Sequence, residues 1–403
     1  MRSSILTRVV LVSAIGYLVD IYDLVLFGIV RMTSLKDLGY AGEDLFSKGI
    51  LLVNTQLFGL LLGGILWGVL GDRIGRVIPL FGSILLFSVA NFANGFVHSI
   101  EPYLICRFLA GVGLAGELGI GVTLTAESLP AELRTYGVSM IAGIGMLGAI
   151  LASGVSETLS WRYAYLIGGI LGLILLFFRK NISEPELYLQ ARETARNSVR
   201  KRVIPKFKTQ FIKYVQCVAL GLPTQFITGI LFVFSPELMT SRGLNGSALI
   251  FRIFAFGYTG AAMGNILGGV LSQSTQTRKY VALGFLLFTL AMTLLYILAP
   301  FQSELPLLLL CALLGMGCGF WTIGLLITAE LFGTNQRATA ATSIPNLTRA
   351  TLVLLTLSFA RLRESSGIST AALIIGMIVI GGALLATLTL KETYGKSLNF
   401  DES

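Results

Sequence analysis

The chain has 403 residues, of which 54% are hydrophobic and only 13% are charged, with a formal net charge of +9. Its mean hydropathy is +0.80. Soluble globular domains carry about 25% charged residues, so this composition excludes an ordinary soluble protein. It favours an all-α membrane protein, because apolar runs of roughly 20 residues suit a helix that crosses a bilayer. The excess of positive charge lies in a few loops, which argues against a nucleic-acid partner.

Apolar segments of this length recur in chain order along the whole sequence. We predict twelve transmembrane helices, near residues 8–31, 46–70, 77–98, 103–129, 134–157, 161–180, 209–236, 248–272, 278–299, 305–330, 336–360 and 366–390. Their connections are short, except for the charged segment 181–208. That segment separates a six-helix N-terminal half, residues 1–180, from a six-helix C-terminal half, residues 209–403.

The distribution of Lys and Arg among the loops predicts the orientation. These residues concentrate on the side that carries both termini and segment 181–208, and cytoplasmic loops carry such an excess. We therefore expect a multi-pass protein of the cell inner (plasma) membrane with both termini in the cytoplasm. On this topology Arg179 and Arg278 count as charges of cytoplasmic loops. The first apolar run lacks a small-residue cleavage site and is expected to remain as the first span.

The four cysteines lie in apolar segments without CxxC spacing. This pattern is typical of small packing residues rather than of a metal site or a disulfide framework. No nucleophile–base pattern or phosphate-binding loop accompanies them. The sequence therefore predicts a protein that is not an enzyme and that needs no metal or cofactor.

The strongest local motif is GVLGDRIGR, residues 68–76, at the end of the second predicted span. Gly68 and Gly75 permit close backbone approach and a sharp turn. Asp72 can bind a cation or the positive N-terminus of a neighbouring helix. Arg73 and Arg76 can hold the loop against the opposite half. We interpret the motif as part of a cytoplasmic gate.

The two halves share a second pattern. The fourth and tenth predicted spans both end in Ala-Glu, and an Arg follows seven residues after the Glu, as Glu127 and Arg134 and as Glu330 and Arg337. The eighth span also ends in a degenerate copy of the second-span loop. Two parallel six-helix repeats are one known route to a transporter with a binding site between its halves.

Residues 68–76 resemble the signature loop of the major facilitator superfamily, GxLxDRxGRR. SEPELY, residues 183–188, is similar to the PESP-type motif of that family, and WRY, residues 161–163, is similar to the WRW/WRY opening of its sixth span. The resemblance covers the whole chain. It implies the twelve-helix major facilitator fold, transport by alternating access and a monomer. It also implies that the two Glu–Arg pairs act as ionic latches of the cytoplasmic gate.

Five informative ionisable residues lie inside predicted spans, namely Arg349 in the second half and a group of four in the first half, Asp20, Asp23, Arg107 and Glu117. One Asp at the centre of a span costs about 2.5–3.5 kcal/mol, whereas each Leu, Ile, Phe or Val returns only ~0.3–0.6 kcal/mol. Ionisable groups at this depth usually line cavities or proton paths. Asp20 and Asp23 are three residues apart and so share one helix face. We interpret the four as proton-coupling residues, with a structural ion pair such as Asp23–Arg107 as the alternative.

DIYDLVLFG, residues 20–28, resembles the first-span stretch of the aromatic-acid:proton and metabolite:proton symporters. RFLAGVGLAGELG, residues 107–119, is similar to the fourth-span RxxxGxGxGGE motif that these groups share. The resemblance implies that Asp20, Asp23, Arg107 and Glu117 couple transport to protons, and it favours symport.

Nine further polar or aromatic residues could line a substrate cavity. They are Tyr17, Tyr22, Gln56, Gln225, Tyr258, Asn265, Trp321, Asn346 and Arg349. For each of them except Arg349, helix–helix hydrogen bonding or packing is the more common role. Arg349 could hold a substrate carboxylate or could neutralise a carboxylate of the first half.

These observations predict a secondary active transporter that imports a small polar organic metabolite, such as an organic acid or amino acid, together with protons. Its expected partners are the small-molecule substrate, protons and the lipid bilayer. Two alternatives remain open at this stage. One is a proton-driven exporter with the same fold, and the other is a membrane sensor that binds a ligand without transporting it.

Overall fold

The computed structural model describes residues 2–179, 184–186, 188–190, 193, 207–240, 246–299, 303–398 and 400. The regular secondary structure of these residues is helical. The first half contains α1 (Arg2–Asp37), α2 (Gly42–Ile74), α3 (Val77–Asn94), α4 (Ile100–Ser128), α5 (Ala131–Thr158) and α6 (Trp161–Arg179). The second half contains α7 (Phe207–Phe226), a π-helical turn (Ile227–Phe232), α8 (Ser235–Thr240), α9 (Gly246–Ser274), α10 (Lys279–Leu298), α11 (Glu304–Gly317), α12 (Phe320–Leu331), α13 (Arg337–Ala350), α14 (Leu352–Ser366) and α15 (Ile368–Thr389).

Eleven stretches of the described chain are helical, long and apolar enough to cross a membrane, and they coincide with eleven of the predicted spans. The remaining prediction, 336–360, corresponds to α13 and α14, which meet at Thr351. Most of α13 is buried, and its apolar content is low because its faces contact other helices rather than lipid. The all-α, twelve-helix fold class is therefore confirmed.

Several second-half spans are interrupted. Pro223 lies inside α7 and is followed by the π-helical turn Ile227–Phe232. Proline lacks the N–H that an α-helix needs for its backbone hydrogen bond, and a π-helical turn is a further local departure from the α-helical bonding pattern. The tenth span is likewise divided into α11 and α12 at Cys318 and Gly319. Both breaks lie at buried positions within the second half.

Glycines set the closest helix contacts inside each half, and they do so in equivalent places. On α2, a Cβ at Gly59 or Gly63 would lie 2.3 or 2.4 Å from a carbonyl oxygen of α4. On α9, a Cβ at Gly260 or Gly264 would lie 1.9 or 2.1 Å from a carbonyl oxygen of α11. Small residues let membrane helices approach at backbone distance. The second span therefore packs on the fourth as the eighth packs on the tenth.

The two halves meet through α13 against α2 and α4, and through α9 against α5. We name the end of the bundle where α1 begins and α2 ends the closed end, because the tightest contacts between the halves lie towards it. A Cβ at Gly68 would lie 2.7 Å from Thr339 Cα, and one at Gly119 would lie 2.2 Å from Thr342 Cα. Towards the opposite, far end, α14 packs on α15 and on the π-helical turn of its own half. Most of the predicted linker 181–208 lies outside the described residues.

Candidate functional site

Three buried carboxylates line the inner faces of α1 and α4, and each is paired with a different arginine. The pairs are Asp20–Arg349, Asp23–Arg107 and Glu117–Arg179. Asp20 and Asp23 belong to α1 itself, and Gly16 on α1 packs directly on the Glu117–Arg179 pair. The three pairs therefore lie one after another along α1. The sequence analysis groups these carboxylates as one cluster, and the structure separates them into three distinct ion pairs.

The Asp23–Arg107 pair lies wholly within the first half. Arg107 Nη2 and Nη1 donate to the two oxygens of Asp23 at 2.9 and 3.1 Å, and Gln56 Nε2 donates to Oδ2 at 3.0 Å. The rings of Phe27 and Tyr165 lie beside the Arg107 guanidinium, with centroids 4.7 and 5.3 Å from its Cζ. Both charged side chains are fully buried. The geometry is that of the structural ion pair, the alternative that the sequence leaves open.

The Glu117–Arg179 pair also belongs to the first half alone. Arg179 Nη2 and Nη1 donate to the two carboxylate oxygens at 2.6 and 2.8 Å, and Ser83 Oγ donates at 3.3 Å. A Cβ at Gly16 would lie 2.3 Å from Arg179 Nη2, so a larger residue there would force the buried pair to shift. The sequence analysis counts Arg179 as a loop charge. That assignment is wrong, since the last turn of α6 carries this side chain back into the bundle, where it is buried.

The Asp20–Arg349 pair differs because it joins the two halves. Arg349 Nη2, on α13, donates to Asp20 Oδ2, on α1, at 2.8 Å. Asp20 Oδ1 is buried and has no hydrogen-bond partner. Arg349 Nη1 makes a long bond of 3.4 Å to Asn346 Oδ1, and Asn346 Nδ2 donates to the carbonyl of Ala115 at 2.9 Å. Arg349 thus neutralises a carboxylate of the first half, by a single hydrogen bond.

Aromatic side chains surround this ion pair. Tyr17 lies one turn before Asp20 on α1, beside both Arg349 and Trp321, and its ring fills the space that Gly145 leaves on α5. Trp321 and Tyr258 pack in the same cluster. The indole Nε1 of Trp321 is buried and has no hydrogen-bond partner. The ring of Trp321 also borders a small cavity of the second half.

The other predicted cavity residues lie farther from Arg349 or are bonded elsewhere. Tyr22 donates to the Ala164 carbonyl at 2.8 Å, within the first half. Asn265 Oδ1 accepts from the backbone N–H and the hydroxyl of Thr322, within the second half. Gln225 is half-buried on α7. Tyr22 and Asn265 therefore hold neighbouring helices together, which is the other reading that the sequence allows.

The GVLGDRIGR motif joins the halves at the closed end. Asp72 accepts from the backbone N–H groups of Ala338 and Thr339 at 3.1 and 2.9 Å, so its carboxylate caps the N-terminus of α13. Gly75 has a φ of +113°, which favours glycine, and a Cβ there would lie 2.4 Å from Glu184 Oε1. The side chain of Arg73 is exposed.

Glu127 holds two arginines, one from each half. Arg76 Nη2 and Arg337 Nη1 both donate to its Oε1, at 3.0 and 2.7 Å. Burial alone would lower the pKa of Arg76, but the adjacent Glu127 carboxylate raises the pKa above its ordinary value. Arg337 Nε also donates to the Ala329 carbonyl at 2.8 Å. The closed end is therefore sealed by a buried, charged network.

The second half repeats this network around Glu330. Arg278 Nη2 donates to Glu330 Oε1 at 2.9 Å, and Arg134 Nη1 lies 3.9 Å from the same oxygen. Arg134 Nε donates to the Ala126 carbonyl at 3.1 Å, as Arg337 Nε does to Ala329. The sequence analysis assigns Arg278 to a loop. The structure corrects this, because Arg278 is buried in the position that Arg76 has in the first half.

Glu184 and Glu392 complete the repeat. Glu184 accepts from the backbone N–H groups of Arg76 and Val77, both at 2.8 Å, and Glu392 accepts from those of Arg278 and Lys279 at 3.0 and 3.2 Å. Glu184 thereby caps the N-terminus of α3, the helix that follows Arg76, and Glu392 caps the N-terminus of α10, the helix that follows Arg278. Glu184 belongs to the SEPELY motif, whose Ser183 and Leu187 lie outside the described residues. The sequence analysis does not single out Glu392, although its position after the last span could have indicated this role.

The described chain forms twelve helical spans in two related halves, sealed at one end and bridged by a buried ion pair, and this arrangement defines a multi-pass membrane transporter. A model of the Major Facilitator Superfamily matches residues 14–354, and the chain belongs to that superfamily. The resemblance drawn from the motifs is thus confirmed.

Two curated relatives and one solved structure illustrate the similarity. A Haemophilus influenzae protein whose name refers to metabolite transport is 36% identical over 187 residues, 45% of this chain and 45% of that protein, so the match spans about half the length of that relative. The benzoate transport protein of Acinetobacter baylyi is 25% identical over 371 residues, 82% of this chain and 78% of that one. The proton:xylose symporter XylE superposes with a TM-score of 0.77 at 18% identity, covering 99% of this chain and 98% of that chain, which is a likeness of fold.

Proposed function

We propose that this protein imports a small organic acid together with protons across the cell inner membrane by alternating access. The observation that carries the proposal is the Asp20–Arg349 pair, a buried carboxylate and a buried cation contributed by opposite halves. Any rocking of the halves moves these two groups relative to each other. A pair of this kind can couple a proton, a substrate charge and a conformational change.

Charge favours an acid as the substrate. Arg349 is bonded to Asp20 by one hydrogen bond, so the guanidinium keeps donors that a carboxylate could use. The similarity to a benzoate transport protein agrees with this substrate class. Aromatic neighbours, Tyr17 and Trp321 among them, suit an acid with an apolar body.

The state of the molecule fits one step of such a cycle. We place both termini, and with them the closed end, in the cytoplasm, because Lys and Arg concentrate there. The network around Glu127 then seals the cytoplasmic side, and the far end faces outwards. The moving bodies would be residues 1–180 and 209–403, joined by segment 181–208.

Transport into proteoliposomes tests the proposal. With an inward-directed proton gradient we expect radiolabelled benzoate to accumulate, and accumulation to stop when a protonophore removes the gradient. Arg349→Gln should lower uptake about ten-fold or more, since hydrogen bonds to charged groups contribute about 1.5–3 kcal/mol. Arg252→Gln is the matched control, because Arg252 pairs with Glu304 at the exposed surface.

Three results would contradict the proposal. They are the absence of uptake for a panel of mono- and dicarboxylates, uptake that ignores the proton gradient, or equal loss in both arginine variants. Accumulation driven by an outward-directed gradient would instead identify an exporter. Binding without flux in sealed vesicles would identify a sensor.

A further inference from the structure

We propose that a substrate carboxylate and Asp20 compete for Arg349, so that each monocarboxylate that binds transfers one proton from solution to Asp20. This inference rests on the proposed function and specifies how its site couples charge. It distinguishes Asp20 from Asp23 and Glu117, which the exchange leaves ionised and paired.

The first step of the argument is the difference in hydrogen bonding among the three pairs. Asp23 and Glu117 each receive two bonds from one arginine of their own half and a third from a neighbouring side chain. Asp20 receives one bond, from the opposite half, and its second oxygen has no partner. Asp20 is therefore the carboxylate whose partner can be exchanged with least disruption.

The second step is the charge of the buried site. Before binding, Asp20 and Arg349 sum to zero. A monocarboxylate that joins them would leave one uncompensated negative charge in a setting where such a charge is very costly. If the substrate takes the Arg349 hydrogen bond and Asp20 binds a proton, the sum returns to zero. The bond that breaks is Arg349–Asp20, and those that form are Arg349–substrate and the O–H of Asp20.

The third step concerns the groups around Asp20 that carry or could carry charge. Tyr17 and Asp23 lie on α1 itself, Glu117 faces from α4 and Tyr258 from α9, and Arg349 lies on α13. Asp23 and Glu117 already have arginine partners. Among the described residues around Asp20, Arg349 is thus the cation that decides its charge.

The fourth step is the space for an incoming acid. The buried Trp321 Nε1 makes no hydrogen bond of standard geometry, and the Tyr17 hydroxyl lies close both to it and to Arg349. A carboxylate on Arg349 would supply the acceptor that this indole N–H lacks. Two unpaired polar atoms in one buried place, Asp20 Oδ1 and Trp321 Nε1, mark it as a site for a further polar group.

Proton uptake on binding tests the exchange directly. Benzoate is added to the purified full-length protein, without a gradient, and the protons bound are measured by calorimetry in buffers of different ionisation enthalpy. We expect about one proton per benzoate in the wild type and none in Asp20→Asn, with benzoate favoured over benzamide by about ten-fold or more. The exposed-site control Glu304→Gln should behave as the wild type does. Binding of benzoate without proton uptake, or unchanged uptake in Asp20→Asn, overturns the inference.

A second measurement does not depend on the substrate. Arg349→Gln leaves Asp20 without its cation, so we expect infrared spectra of this variant to gain one protonated-carboxyl band at neutral pH. The band should be missing in the double variant Asp20→Asn/Arg349→Gln, and size-exclusion chromatography confirms that both variants are folded. A folded Arg349→Gln without the band overturns the inference even if transport is intact. If benzoate is neither bound nor transported but the band is present, the proposed substrate class fails while the Asp20–Arg349 linkage stands.

Discussion

Glu127 and Arg337 face each other across the boundary between the halves, with Oε1 and Nη1 2.7 Å apart, whereas the equivalent atoms of Glu330 and Arg134 are 3.9 Å apart. The two contacts occupy equivalent places in the repeat, and yet only the first is a close, charge-assisted hydrogen bond. These two contacts between the halves are therefore unequal, and the one at Glu127 is the tighter.

Arg337→Gln should open the closed end more than Arg134→Gln does. The loss of a buried bond to a charged group is worth about 1.5–3 kcal/mol, so we expect a shift of about ten-fold or more towards the open state in Arg337→Gln. Spin labels at Ile78 and Tyr280, exposed and equivalent positions on α3 and α10, report the separation by pulsed electron resonance. Equal distance distributions in the two variants would refute the inequality.

Gly119→Ala should stop the halves from closing. Its Cβ would lie 2.2 Å from Thr342 Cα, a backbone atom of the opposite half that cannot rotate away. We expect solute uptake to fall about ten-fold or more, with each half still folded. Gly154→Ala is the control, because a Cβ there meets nothing within 4 Å. Normal uptake in Gly119→Ala would mean that this contact is not needed for the cycle.

Asp23→Asn should destabilise the protein rather than alter coupling alone. It leaves the fully buried Arg107 without its carboxylate, a change that typically costs about 3–5 kcal/mol. The exposed control Glu304→Gln should cost no more than about 1 kcal/mol. Unfolding in detergent measures both. If Asp23→Asn folds with wild-type stability and loses only proton coupling, Asp23 is a proton-coupling residue and not merely part of a structural ion pair.

Much of the fold could be predicted from the sequence, because a bilayer imposes length and hydropathy on each span. The span containing α13 is the least apolar of the described spans, and the sequence analysis nevertheless places it at 336–360. The motif 68–76 and the recurring Glu–Arg spacing likewise indicated the network that Glu127 and Glu330 now organise.

The partners of the buried charges could not be predicted in the same way. Which arginine meets which carboxylate depends on the rotation and tilt of whole helices, and spacing along one helix contains neither. Arg179 illustrates this, since the last residue of α6 reads as a loop charge until the bundle places it against Glu117. For Arg349 the sequence allowed two partners, and only the packing of α13 on the first half brings it to Asp20.

Glu392 offers a prediction about pH, because it lies beyond the last span. Burial alone would raise its pKa, but hydrogen bonds from the Thr277 hydroxyl and from the backbone N–H groups of Arg278, Tyr394 and Lys279 outweigh this and lower the pKa from the usual 4.5 to about 2. A carboxyl whose pKa is lower in the folded state stabilises the fold above its ordinary pKa, and this stabilisation is lost as the pH falls through the folded value.

Glu392→Gln should therefore have a lower Tm than the wild type at neutral pH, and the difference should shrink between about pH 4.5 and pH 2. The effect should be modest, since the residue is exposed and solvent screens its charge. Thermal unfolding in detergent across this range measures it, with Glu304→Gln as the exposed control. A glutamine of the same length accepts fewer of these hydrogen bonds at every pH. A Tm difference that stays constant from pH 6 to about pH 2 would therefore show that Glu392 holds the N-terminus of α10 by the geometry of its bonds and not by its charge.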